Sequence, residues 1–268
     1  MTETTGPEAA TEPTVKSFET AEYRIHPLAE AIVIGAVVFL AIFSTTYFIY
    51  RHALEAQKGE IREGLVRTGK VLAAYIDGDG HRTFQSRDQE TTEAYAQALR
   101  PLEQVLRADR SIRYVYTAVL KDGKVRFVLD AAPSGDADGD GVDDKAHIME
   151  EYPEADEDML RALRERVTVT SAEPYVDRWG SFVSGYVPFF DSRGGFVGIL
   201  GIDIDSSNYF ARLAPIKRAT VRAMVTGFFI AFLVSAAVWF TRNFSHVINR
   251  SRLTIHREYQ HLAKRARP

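Results

Sequence analysis

Two long apolar runs divide the chain. Ala31 to Tyr50 reads AIVIGAVVFLAIFSTTYFIY, 20 residues without a charge, and Ala223 to Thr241 reads AMVTGFFIAFLVSAAVWFT, 19 more. At about 1.5 Å per residue, each run crosses the roughly 30 Å hydrocarbon core of a bilayer. Tyr47, Tyr50 and Trp239 lie towards the ends of the runs, where interfacial aromatic rings belong. The pattern predicts two membrane spans, 28–50 and 223–241. The first run is longer than the roughly 7–15 residues of a signal-peptide core, and Glu19, Glu22 and Glu30 precede it. It reads as an uncleaved anchor.

Between the spans the periodicity changes twice. Leu54, Ile61, Leu65, Leu72 and Ile76 form one apolar seam on a helix that continues from the first span. The seam fits either packing against its own domain or a dimer stalk. A second helix is expected near Thr91 to Arg107, kinked or divided at Pro101. Ile112 to Leu120 and Val125 to Asp130 are β-branched and aromatic, and Lys121-Asp122-Gly123 joins them as a hairpin. A loop follows, then a short helix around Asp158 to Arg166 and a short extended piece at Val167-Thr168-Val169. Ser181 to Phe190 and Phe196 to Asp203 form a second hairpin, with Pro188 marking an edge or a bulge. A last helix from Ser206 runs into the second span. This order predicts an α+β fold: a small antiparallel sheet with helices on one face.

Charge orients the chain. After Thr241 the tail carries seven basic residues against Glu258, and basic flanks stay cytoplasmic. Both termini are therefore placed in the cytoplasm, with residues 51–222 outside the inner membrane as a periplasmic domain. That domain is acidic, 24 basic groups against 29 acidic. Residues 1–26, rich in Thr, Glu and Pro, are expected to be disordered, and the basic tail 242–268 helical. The chain has no cysteine, which excludes thiol catalysis, disulfide scaffolds and Cys-ligated metal. A net charge of −3 gives no reason to expect nucleic acid as a partner.

The stretches IRYVYTAVLKDGKVRFVLDA and EPYVDRWGSFVSGYVPFFDSRGGFVGILGIDID, set between two spans, resemble the extracytoplasmic Cache/PDC sensor family. The resemblance covers most of residues 61–210. It implies a PAS-like antiparallel sheet with a long N-terminal helix, a ligand pocket on the sheet face, and a signal carried by the helices. Some members hold a ligand ammonium group with a Tyr-x-Asp pair and a later Asp. Tyr175-Val176-Asp177 matches the pair and Asp203 the later position. Carboxylates and an aromatic ring suit a cation chemically. The Arg-x-Trp-Tyr element that holds a ligand carboxylate in that subgroup is absent, which argues against an α-amino acid. The other reading of Asp177 and Asp203 is as turn or cap residues at strand ends.

Further residues are candidates on their chemistry. Tyr114, Tyr116, Arg126, Trp179 and Tyr186 fall on predicted strands, as core or as pocket lining, and Arg126 is the one obvious anion-binding group among them. Asp136, Asp138, Asp140 and Asp144, with Gly141, match the alternating oxygen ligands and sharp turn of a calcium loop. His147 stands where the bidentate Glu belongs, so the expectation is a structural Ca²⁺ or a solvated acidic loop. A second acidic run, Glu150 to Asp158, is solvated or faces anionic lipid through divalent cations. No phosphate loop, HExxH, GxSxG, kinase or cyclase signature occurs, so neither an enzyme nor an organic cofactor is expected.

The expected function is a membrane-anchored, dimeric, extracytoplasmic sensor of a small, cationic or amine-containing ligand in bacterial signal transduction. It would signal by helix motion to a separate or missing output module, such as a cytoplasmic kinase or cyclase. The alternative, of a different class, is a non-signalling, calcium-stabilised module that binds a partner protein.

Overall fold

A computed structural model of the chain describes residues 26–136, Gly139, Gly141 and 143–265. The expectation of disorder before residue 26 lies outside the described residues. The chain forms two compact units: Phe43–Val225, and Met1–Ile42 together with Thr226–Pro268.

The larger unit is an α+β domain. Helix α1 (Pro27–Ala73) starts with proline, whose fixed φ suits a first helical position, and its later turns belong to this unit. Then come α2 (Gly78–His81), a 3-10 turn (Arg87–Thr91) and α3 (Glu93–Ala108). The Thr92 hydroxyl caps α3 by accepting from the Tyr95 amide. Strands β1 (Ile112–Lys121) and β2 (Lys124–Asp130) form a hairpin. Its two turn residues, Asp122 and Gly123, both have positive φ, as a tight hairpin turn requires. Helix α4 (Glu157–Glu165) follows, then β3 (Val169–Thr170), β4 (Tyr175–Asp177), β5 (Gly180–Phe190), β6 (Phe196–Asp205) and α5 (Ser206–Arg265).

The sheet is antiparallel throughout, in the order β2-β1-β6-β5-β3, with β4 also pairing β5. It is PAS-like, with a long N-terminal helix, as the sequence resemblance implied. Pro188 lies beyond the stretches where β3 and β4 pair with β5, so on that side its missing N–H meets no strand.

Period-two alternation divides the strands between two cores. Val115, Val183, Leu200, Ile202 and Ile204 pack with α1 and α3. Tyr114, Tyr116, Phe127, Phe182, Tyr186 and Ile199 pack with Met159, Ala162 and Leu163 of α4. Helices therefore cover both faces, not one. The short helix read at 158–166 packs on the far side because its apolar residues Met159, Leu160, Ala162 and Leu163 meet the aromatic face.

The α1 seam belongs to the domain's own core. Ile61, Leu65 and Leu72 are buried there, with Leu54 and Ile76 packed beside them. Helix α3 runs unbroken through Pro101, flanked by the buried Leu99 and Leu102, whose burial holds the turn that proline weakens.

In the smaller unit, the N-terminal part of α1 and the middle of α5 pack at small residues. A Cβ on Gly35 would sit 1.8 Å from Ser235 Oγ, and that hydroxyl donates to Ala31 O at 2.9 Å. Phe39 and Phe228 meet edge to face, and Arg242 pairs with Glu30 at 2.5 Å. Both helices carry stretches long and apolar enough to cross a membrane.

Candidate ligand pocket

On the aromatic face of the sheet lies a small pocket. Its lining comes from five strands and the connection after β2. Strand β1 contributes Tyr114 and Tyr116, two residues apart and so on one face. Strand β2 contributes Phe127 and Asp130, and β6 contributes Asp203, opposite Tyr114 on one side and Ser184 on the other. Strand β4 and the turn after it bring Asp177 and Trp179, and β5 brings Phe182. Asp144, Ala146 and Tyr152 return from the long connection to close the far wall.

Among the described residues, four carboxylates therefore face one aromatic enclosure, and no lysine or arginine is part of its lining. Asp203 is 3 % exposed; its Oδ1 accepts from the Ser184 hydroxyl at 2.5 Å and the Tyr116 hydroxyl at 3.4 Å. Burial holds its carboxyl well above the usual carboxylate range. Asp177 accepts from the Tyr152 hydroxyl at 2.5 Å and the Trp179 amide at 2.8 Å, and burial raises it too. Asp130 accepts from the amides of Ala132 and Ala146 and is pushed up by burial to about 6. Asp144 accepts from the Tyr114 hydroxyl at 2.8 Å and the Arg113 guanidinium at 3.1 Å.

The rings enclose these oxygens. Phe127 lies 5.0 Å from Tyr152, 5.2 Å from Tyr116 and 5.5 Å from Trp179, centroid to centroid. Arg178 stacks over Trp179 at 4.2 Å while its side chain reaches Glu150 and the Glu151 carbonyl. The Trp179 indole N–H donates to Asp143 O at 2.9 Å. The turn after β4 is thus fastened to the wall opposite.

Of the residues singled out in the sequence, Tyr114, Tyr116, Asp177, Trp179 and Asp203 come together in the lining. Tyr175 and Tyr186 stand one shell behind. The Tyr175 hydroxyl lies 3.1 Å from Ser184 Oγ, and Tyr186 donates to Asp156, the cap of α4, at 2.8 Å. Arg126 is not in the lining. It alternates with Phe127 along β2, and its guanidinium bonds Met149 O and pairs with Glu151.

Of the calcium set, Asp138 and Asp140 lie outside the described residues. Asp136 takes the amides of Gly139 and Gly141, and Asp144 faces the pocket. Among the described residues, no three His, Asp or Glu side chains are grouped to hold a metal ion. Sequence reasoning missed Phe127, Asp130, Tyr152 and Phe182. Period two from Tyr186 back through Ser184 reaches Phe182, but nothing local marks Tyr152, which arrives from a loop.

No family model matches the chain, and no curated relative matches it. Among solved structures, it is similar to the ligand-binding domain of the Campylobacter jejuni chemoreceptor Tlp3 in complex with L-valine. The TM-score is 0.44 and the identity 15 %, over 68 % of this chain and 67 % of that one. It is also similar to the ligand-binding domain of the Pseudomonas aeruginosa PAO1 amino acid chemoreceptor PctC in complex with GABA (TM-score 0.36, 18 % identity, 56 % of this chain, 60 % of that one). A third is the extracellular domain of the putative histidine kinase mmHK1S-Z3 (TM-score 0.33, 19 % identity, 60 % of each chain).

Proposed function

We propose that this chain is a membrane-anchored extracytoplasmic sensor of a small, amine-bearing cation. One observation carries the reading: of the four carboxylates that face the aromatic pocket, Asp130, Asp177 and Asp203 are met by hydroxyls and backbone amides, and Asp144 is met by a cation, Arg113. Buried carboxylates are costly unless a cation meets them, and an ammonium group supplies both the charge and the hydrogen-bond donors. Aromatic faces add cation–π attraction and exclude water. The chemistry of this reading is binding, not reaction.

Helices α1 and α5 each run unbroken from the sheet domain into an apolar stretch, which supports signalling through them. The ligand acts by binding one arrangement of those helices more tightly than another. A separate cytoplasmic kinase or cyclase that reads the basic tail of a dimer is the output this reading calls for. Calcium in the 136–144 loop would be structural; a melting temperature equal in calcium and in chelator would reject it.

The test is titration of the full chain, in detergent micelles, with n-butylammonium. Asp177→Asn and Asp203→Asn are each expected to lower affinity at least tenfold. Affinity unchanged in both variants would reject this pocket.

A further inference from the structure

The four pocket carboxylates are not equivalent. Asp177 and Asp203 are met by neutral donors, the hydroxyls of Tyr152, Ser184 and Tyr116 and the Trp179 amide. Asp130 is capped by two backbone amides. Asp144 already has a cation. The Arg113 guanidinium stands 3.1 Å from Asp144 Oδ1, the oxygen that also accepts from Tyr114. The Asp144 side chain is 5 % exposed and that of Arg113 39 %, so the arginine reaches the carboxylate from the solvent side. Its guanidinium carbon lies 5.1 Å from the centroid of the Tyr114 ring.

The two tyrosines of β1 fix the spacing. Tyr114 and Tyr116 project from alternate positions of one strand, about 7 Å apart at the backbone. The first hydroxyl is aimed at Asp144 and the second at Asp203. The pocket thus has two acidic centres, each met by one of these hydroxyls, and one of the two is matched by a side chain of the protein.

We infer that Arg113 is a specificity-determining residue: it occupies the cation position at Asp144, so the pocket accepts a ligand with one ammonium group and refuses a diamine. This rests on the amine reading above. A second ammonium at Asp144 would have to displace the guanidinium or stand against a like charge. The repulsive element sets the preference as much as the attraction at Asp203 does.

The experiment is calorimetric titration of the full chain in micelles with n-butylammonium and with butane-1,4-diammonium. The native protein is expected to bind the monoamine at least tenfold more tightly. In Arg113→Gln the order should reverse, read as the ratio of the two affinities measured on the same preparation. Arg113→Lys should keep the native order, and adding Asp144→Asn to Arg113→Gln should abolish the gain for the diamine. Arg113→Met, which keeps an apolar stem over Tyr114, is measured alongside, so that a folding defect in one variant does not decide the result. A diamine-to-monoamine ratio unchanged in the Gln and Met variants, with butylammonium binding still lost in Asp203→Asn, overturns this inference alone. Native protein that binds neither amine overturns the amine reading and this inference with it.

Discussion

At the scale of single residues, the pocket sacrifices stability for binding. Asp203 is buried among rings with no cation against it, so its charged form is disfavoured. Both donors it meets reach the same oxygen, so an asparagine carbonyl can accept both. Asp203→Asn is expected to stabilise the unliganded protein at pH 7.5 by about 1–3 kcal/mol while losing the amine. The sign follows from linkage. A carboxyl raised in the folded state gives stability that is complete below its unfolded value and is lost as pH rises through its folded value. The variant's advantage in thermal melts should therefore grow from pH 4.5 to 8. A constant or shrinking advantage would contradict a raised Asp203. The difference between variant and native protein is the quantity to follow, because two other buried groups oppose each other. Asp130, raised to about 6, favours folding at low pH, and that contribution is lost as pH climbs through about 6. His81, hydrogen-bonded to Thr117 and lowered by burial to about 4, costs stability as pH falls from about 6.5 towards 4. At this scale Asp177 and Asp203 were legible from a motif, and Tyr114 and Tyr116 from alternation. Arg126 was misplaced because its neighbour Phe127 takes the pocket face and leaves Arg126 the other.

At the scale of elements, β6 works because of what it lacks. Gly201 faces Tyr116 across the β1–β6 pair, and a Cβ there would meet ring carbons Cε2 and Cζ at 2.4 Å. The absent side chain is what lets the ring lie over the strand with its hydroxyl towards Asp203. Gly201→Ala should cost about 1–3 kcal/mol and weaken amine binding through the displaced Tyr116. Gly59, mid-helix in α1, is the contrast, since a Cβ there meets nothing within 4 Å. Gly59→Ala should stabilise by about 0.5–1 kcal/mol and leave binding untouched. Denaturant melts of the two variants separate close packing from backbone freedom. The strands themselves were readable from period two, and their boundaries fell within a few residues of expectation. Strand β4 and helix α2 were not foreseen. Three and four residues are too few for a period, and β4 exists through its pairing with β5.

At the scale of the whole molecule, the absence of cysteine makes the proposed topology directly measurable. Ser192→Cys, in the exposed β5–β6 turn, should react with a membrane-impermeant maleimide in intact cells of a bacterial host. Ser245→Cys, beyond the second apolar stretch, should react only after the cells are broken. The reverse pattern would invert the orientation. The α1 seam bears on assembly at the same scale. Leu54, Ile61, Leu65 and Leu72 serve the domain's own core, so a dimer would have to use other positions, such as the exposed Val71 and Tyr75.

The sequence alone determined the two apolar stretches, the helix–strand order and the antiparallel α+β class. Each follows from a local period, 3.6 or 2, or from the length of an uncharged run. It also supplied Asp177 and Asp203 as candidates. Only the tertiary structure decided that helices cover both faces and that the seam packs inward. It alone brought Asp130, Asp144 and Tyr152 onto the aromatic face beside them, and set Arg113 against Asp144 from 31 residues away. Those contacts close through loops, whose course depends on which face of the sheet has apolar surface left to bury.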